Sequence, residues 1–588
     1  MFGCFKVVQL KTPSPAAPAV AQPRAAAIDP ASGKPAHAWI SKTEKAVVAA
    51  SSGALAGLCF AAKDNIDAAG FATTAACPAF AYWPQKNASV VQRLLDAGAA
   101  LHGKTNLDQF ACGLNGTRSP YGAVPNAFNT EYISGGSSSG SAYVVATGQV
   151  DFALGTDTAG SGRVPAGLNN IVGIKPSKGL ISARGVVPAA QSVDCVSIFA
   201  RTVDVAARVL AVAQGFDAED PYARHVAMLQ KPLPAAFRFG VPSDTPFFAD
   251  AAAERAFAGA IERLKALGGT PVTIDYAPLA GAAALLYESA LVAERYAAVR
   301  SFFDAQSSEV VEPVRGILDA GRGYSAADLC DAQTRLRAFG QQAAQIWERI
   351  DVLLVPTAPT HYTIAQMVAD PVALNRNLGA YTNFVNLLDY AAISVPSAIR
   401  SDGLPFGITL IGPCGSDWQL AELGQRYHHA TGLAQGALDL PLPPSAPIAA
   451  SQVAGATVDV AVVGAHLSGM PLNGQLTERG ATLVLKTETL PDYQLYALPN
   501  TVPPKPGLLR VAPGTGTRIA VEVWRMPAER YGSFVALIPA PLGIGTLALE
   551  AGIHVQGFIC EPLALTGARD ISSFGGWRAY IDSLKTAT

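Results

Sequence analysis

The sequence is short of charge, of metal-binding motifs and of long apolar runs. Asp, Glu, Lys and Arg make up 15% of its 588 residues, against about 25% in an average soluble domain. The 43 basic and 45 acidic residues nearly cancel, leaving a net charge of −2. That balance argues against a basic nucleic-acid surface and against an acidic solvating chain. No uninterrupted apolar run reaches the ~18 residues a membrane helix needs. Residues 1–10 carry one lysine and no continuous apolar segment, so they do not read as a secretory signal. The eight cysteines (Cys4, Cys59, Cys77, Cys112, Cys195, Cys330, Cys414, Cys560) are scattered and form no CxxC. They read as free thiols of a reducing, cytoplasmic compartment. GxxxxGK[ST] and HExxH are absent, and no Cys/His group has zinc spacing. The expectation is an activity without metal or cofactor, with neither nucleic acid nor membrane as partner.

Half of the residues are hydrophobic, enough to bury a sizeable core. Residues 1–36 are rich in Ala and Pro, lack periodicity and read as poorly ordered. A second composition break, Leu440-Pro-Leu-Pro-Pro-Ser-Ala-Pro447, opens an extended linker over 441–455. The expected organisation is a large domain over 37–440 and a small one over 456–588. In the first, apolar runs alternate with helical patterns, which predicts α/β. Val90, Val91, Leu94 and Leu95 share a helix face that Gly98 ends, and Ala99–Gly103 reads as a strand. Leu353–Pro356 and Ala392–Pro396 read as buried strands that stop at proline. Residues 458–463, 482–485 and 519–524 are strand-like, so the small domain is expected to be a β-rich α+β unit.

The segment most open to a chemical reading is Ile133-Ser-Gly-Gly-Ser-Ser-Ser-Gly-Ser-Ala142, followed by Gly155-Thr-Asp-Thr-Ala-Gly-Ser161. A Gly/Ser run is usually a flexible loop, but this one is flanked tightly by apolar structure. Gly136-Ser-Ser-Ser-Gly140 also matches a GxSxG nucleophile elbow centred on Ser138. That arrangement needs a downstream His, and His361, His428 and His429 lie in no recognisable context. His428 and His429 read as surface or packing residues.

Taken with Ala61-Ala-Lys-Asp-Asn65, these two segments resemble the amidase signature family in order and spacing, and the resemblance covers nearly all of 50–430. It implies a mixed central sheet covered by helices and a Ser–cis-Ser–Lys catalytic set without histidine. In this sequence Lys63 would be the base, Ser137 the bridging serine on a cis peptide, and Ser161 the nucleophile. A serine hydroxyl needs a neighbour to take its proton. A lysine can do so only when burial keeps it neutral, and the apolar Leu58-Cys-Phe-Ala-Ala62 before Lys63 would supply that burial. Ser137 could relay the proton because a hydroxyl both donates and accepts. The backbone N–H groups of Thr158, Ala159, Gly160 and Ser161 would form the oxyanion hole.

The substrate is narrowed by a closer resemblance to the allophanate hydrolases within that family. Tyr287-Glu-Ser-Ala-Leu-Val-Ala-Glu-Arg295, Arg184–Pro188 with Ser192–Phe199, and Leu378–Asn386 carry it. It implies that Tyr287 and Arg295 hold the substrate carboxylate; on one helix, an offset of eight puts both on one face. Val463–Leu476 resembles the γ-glutamyl-cyclotransferase-like domain fused to those enzymes, which makes His466 the candidate residue there. The implied reaction is hydrolysis of allophanate (urea-1-carboxylate) to ammonia and carbon dioxide, in urea or s-triazine/cyanuric acid nitrogen catabolism. The implied partners are a second copy, as a homodimer, and functional coupling to a urea carboxylase or biuret hydrolase. The alternatives are an amidase for another small amide and the amidase component of a tRNA-dependent amidotransferase.

Overall fold

The computed structural model describes residues 36–229, 233–448, 457–499 and 501–585. The expectation for the N-terminal stretch falls, except at Ala36, outside the described residues; Ala36 itself is buried in an apolar cluster with Tyr143 and Phe199. The chain divides into two compact units, 1–452 and 453–588. Among the described residues no helix is long and apolar enough to cross a membrane.

The first unit is α/β and is built on one eleven-stranded mixed sheet. In chain order its strands are β1 (Trp39–Val47), β2 (Cys59–Lys63), β3 (Ala100–Thr105), β4 (Phe152–Asp157), β5 (Val172–Lys175) and β6 (Cys195–Ala200), followed by β7 (Phe237–Pro242), β8 (Gly269–Ile274), β9 (Val352–Pro356), β10 (Ala391–Ile399) and β11 (Pro405–Gly412). Their order across the sheet is β1-β3-β2-β4-β6-β5-β10-β11-β9-β7-β8. β2 runs parallel to both β3 and β4. The β2–β3 crossover carries the helix Ser89–Asp96, whose Val90, Val91, Leu94 and Leu95 are all buried, as a parallel connection requires. β4 is buried along its whole length, and the wholly buried helix Ser139–Ala146 packs in one cluster with Ala61, Ala153 and Phe199.

One of the two expected proline stops is not found. β10 does not stop at Pro396 but runs on to Ile399. A register shift between Pro396 and Ala398 in its pairing with β11 accommodates the residue that has no N–H to give.

The second unit is β-rich. Its five-stranded sheet has the order Thr482–Glu488, Ala520–Pro527, Thr457–Val462, His554–Cys560, Leu542–Ala548. All pairings are antiparallel except that of Thr457–Val462 with His554–Cys560. A three-stranded sheet accompanies it, and Val460, Tyr493, Trp524 and Leu547 belong to their shared core.

Candidate active site

Lys63 is the last residue of β2, and the neighbouring parallel strand β4 brings Thr156 beside it. Both side chains are buried. The Lys63 Nζ donates to Ser137 Oγ at 2.7 Å and to Thr156 Oγ1 at 2.7 Å. Burial pushes the amine down from 10.5 to about 7, against the opposing pull of Asp108, Asp194 and Asp157. A substantial neutral fraction therefore exists near neutrality, which is what a general base requires. The apolar cover is Phe60, Ala61 and Ala62, with Phe60 stacked on Phe152 at 5.1 Å. The Gly136–Ser137 peptide is cis. The Ser137 carbonyl accepts from Asp108 N at 3.1 Å, and the Asp108 carboxylate in turn receives the amides of Asn115, Gly116 and Arg118.

Ser161 lies on the turn between β4 and the helix Val164–Leu168. It is buried, and its hydroxyl donates to the Gly113 carbonyl at 3.3 Å. Among the described residues no hydrogen bond joins Ser161 to Ser137 or Lys63, and none uses the backbone N–H of Thr158, Ala159, Gly160 or Ser161. Four consecutive buried amides thus remain available as donors. Gly160 is required at the turn: its φ is +141°, and a Cβ there would collide with the Thr382 side chain. A buried ion pair braces the turn from below. Arg163 reaches Asp157 through Nε and Nη2, each at 3.0 Å, and also the Thr382 carbonyl and Asn386 Oδ1. Burial alone would raise the Asp157 carboxyl, but Arg163 overrides it and holds it below the ordinary range. Thr158 donates to Asp194, whose carboxyl is pushed up to about 6 by burial. Thr156, Asp157, Arg163, Asp194 and Asn386 carry no sequence signal beyond sitting in or near the motifs.

Tyr287 and Arg295 do come together, but not on one helix. The helix Ala277–Glu288 ends at Ser289, which is extended (φ −147°, ψ 178°), and Arg295 belongs to the next helix, Ala293–Gln306. The Ser289 hydroxyl accepts from Leu291 N and donates to the Leu285 carbonyl, a local hydrogen-bonding habit that competes with helix continuation. Arg295 Nη2 donates to Tyr287 Oη at 3.2 Å. Arg295 is 3% exposed, yet its Nε and Nη1 have no partner among the described residues. Burial raises the Tyr287 phenol, so it stays neutral. Tyr287 lines a cavity of about 640 Å³ together with Leu114 and Asn383. Leu114 follows the carbonyl that holds Ser161, and Asn383 follows the Thr382 that packs on Gly160.

The rival nucleophile is not assembled. Ser138 Oγ donates to the Thr156 carbonyl at 3.2 Å. His361 is bonded to the Pro405 carbonyl and burial pushes it down to about 4; burial takes His428 down to about 3. In the second unit His466 bonds Gln475 Oε1 at 2.9 Å and stacks on Phe558 at 5.0 Å, with burial lowering its pKa. It lines a separate cavity of about 200 Å³.

Residues 20–421 match the amidase family, and residues 458–582 match the allophanate hydrolase C-terminal domain. The chain belongs to the amidase family. Among its relatives, the urea amidolyase of Saccharomyces cerevisiae is 45% identical over 546 residues, covering 90% of this chain and 30% of that protein. The urea amidolyase of Lachancea kluyveri is 46% identical over 547 residues, with the same two coverages. The solved structure of Kluyveromyces lactis allophanate hydrolase superposes with a TM-score of 0.67 at 44% identity, covering 90% of this chain and 88% of that one. The chain spans less than a third of the length of the yeast urea amidolyases.

Proposed function

We propose that the chain is an amidohydrolase that hydrolyses allophanate through a Ser161 acyl-enzyme. The observation that carries the substrate is Arg295: a buried guanidinium with two unfilled N–H positions, hydrogen-bonded to a tyrosine on the cavity wall. No ion pair of the described residues closes on its guanidinium, although Asp194 and Glu294 lie near enough to favour its charge. A buried cation is costly unless a partner compensates it, and a substrate carboxylate would accept a charge-assisted hydrogen bond from Nε–H or from Nη1, which point to opposite sides of the guanidinium. A neutral amide would leave them empty.

In the mechanism, Ser161 turns its hydroxyl from Gly113 toward Ser137 and attacks the terminal carbamoyl carbon. Its proton passes through Ser137 to neutral Lys63. The amides of Thr158–Ser161 receive the developing oxyanion. Lys63, through Ser137, returns the proton to the departing ammonia. Water then enters by the same relay and releases the acyl group, whose breakdown gives carbon dioxide and the second ammonia. The second unit, in which His466 lines a cavity, either assists this later step or serves assembly. Allophanate would be supplied by carboxylation of urea or by hydrolysis of biuret, in urea or s-triazine nitrogen catabolism. The homodimer and a cytoplasmic location belong to the same reading.

The test is Arg295→Ala. Loss of kcat/KM on allophanate by more than about a hundred-fold, with neutral amides changed little, supports the carboxylate role. Equal losses on charged and neutral amides contradict it.

A further inference from the structure

Amides kept open for an oxyanion take no part in holding their own backbone, so the turn over Thr158–Ser161 has to be held by its side chains and its ends. The end after Ser161 is gripped by Asp157, whose carboxylate accepts from Gly162 N at 2.9 Å and from Arg163 Nε at 3.0 Å. The other end is where β4 leaves the sheet. β4 and β6 are antiparallel with Asp157 opposite Cys195, so the next residue on each side, Thr158 and Asp194, also face each other. There the Thr158 hydroxyl donates to Asp194 Oδ1 at 2.5 Å.

Asp194 is itself fixed. Its Oδ2 accepts from Ala189 N at 2.8 Å, and Ala190 N lies 3.2 Å from both carboxylate oxygens. The Val193 and Asp194 amides both donate to the Ala190 carbonyl at 3.0 Å. Asn386 Nδ2 stitches this loop to the end of β4, donating to the Asp157 carbonyl at 2.7 Å and to the Val193 carbonyl at 3.0 Å. Ala159, Ala190, Val193 and Leu387 pack in one apolar cluster. The loop therefore has the internal hydrogen bonds that the turn lacks, and one side-chain bond carries its rigidity across. The ionised acceptor makes that bond short and strong.

We infer that Asp194 is a positioning residue of the hydrolytic reaction: through the Thr158 hydroxyl it holds the amides of Thr158–Ser161 where the oxyanion forms. This rests on the Ser161 acyl-enzyme reading above and adds to it the group that keeps the oxyanion donors in place. Asp194 touches no reacting atom. Its effect belongs to the transition state, where charge develops on the substrate oxygen, and not to binding of the ground-state amide.

The experiment measures kcat and KM for ammonia release from allophanate at about pH 9, with the full chain, Thr158→Val, Asp194→Asn and the double variant. At that pH Lys63, which sits at about 7, is neutral with or without the Asp194 charge, and Asp194, at about 6, is ionised. Thr158→Val removes the tie while keeping that charge and the Thr158 amide. Each single variant should lower kcat by about ten- to a hundred-fold, as displaced donors do, with KM within about three-fold. The double variant should fall no more than about three-fold below the weaker single variant, because both changes cut the same bond. A merely structural role would lower the unfolding midpoint and leave kcat per folded molecule unchanged; a thermal unfolding curve for each variant supplies the folded fraction. A Thr158→Val kcat within about three-fold of the unaltered chain, losses that multiply in the double variant, or losses carried by KM overturn the inference and leave the Ser161 reading standing. If Asp194→Asn does not fold, Thr158→Val decides alone by the same kcat and KM criteria. An unaltered chain that releases no ammonia from allophanate overturns the reading itself, and the inference with it.

Discussion

Thr156→Val changes one hydroxyl into a methyl at the hydrogen bond that Lys63 makes besides Ser137. Lys63 sits at about 7 because burial disfavours its charged form. At pH 7 about half of it is neutral, where an amine at its ordinary value would be neutral in about 0.03% of molecules. Activity should therefore fall as pH drops through 7, with kcat/KM about ten-fold below its plateau at pH 6. The Thr156 oxygen accepts from Lys63 in either protonation state but holds the ammonium harder. A hydrogen bond from a charged donor contributes roughly 1.5–3 kcal/mol, one from a neutral donor roughly 0.5–1.5. The difference of about 1–1.5 kcal/mol corresponds to about one pH unit at roughly 1.4 kcal/mol per unit. Removing the hydroxyl should thus shift the acid limb down by about one unit, to near 6, and lower the plateau because a weaker base remains. Asn65, which also donates to Thr156, keeps its second acceptor in the Val187 carbonyl. The assay is kcat/KM for ammonia release from pH 5 to 9 with both proteins. An acid limb that stays in place in Thr156→Val would refute Lys63 as the titrating base.

Ser161→Ala should abolish ammonia release with the thermal unfolding midpoint unchanged within a few degrees; measurable residual turnover would remove Ser161 as the nucleophile. Arg163→Ala strands Asp157 as an unpaired buried charge, so denaturant unfolding should show a loss of about 3–5 kcal/mol. A loss under about 1 kcal/mol there would mean that Asp157 is protonated or hydrated. A chain ending at residue 452 should still release the first ammonia, since Lys63, Ser137, Ser161 and Arg295 all lie in the first unit; a folded fragment without any release would show that the second unit is needed for the first step.

The sheet and the reacting side chains are legible in the sequence for different reasons. Val90, Val91, Leu94 and Leu95 repeat at helical spacing, and Leu353–Val355 form a short apolar run, so local pattern locates the helix Ser89–Asp96 and β9. Lys63, Ser137 and Ser161 stand in ordered motifs, and the fold brings the first two within hydrogen-bond distance. The residues around them are not legible. Thr156, Asp194 and Asn386 gain their character from neighbours far away in sequence, and nothing local distinguishes them from any strand threonine, loop acid or helix asparagine. The break at Ser289 escapes notice because Glu-Ser-Ala is compatible with helix; a side-chain hydrogen bond ends it. Pro396 reads as a stop because proline lacks a donor, yet the register shift against β11 absorbs that loss.

The most direct test of the account is ammonia release by the purified full chain, without added metal or ATP, from allophanate beside malonamate, propionamide and glutamine. The account predicts strong preference for allophanate, weaker turnover of malonamate and little of the two others. Turnover confined to propionamide or glutamine would contradict the substrate assignment while leaving the Lys63–Ser137–Ser161 chemistry to explain it.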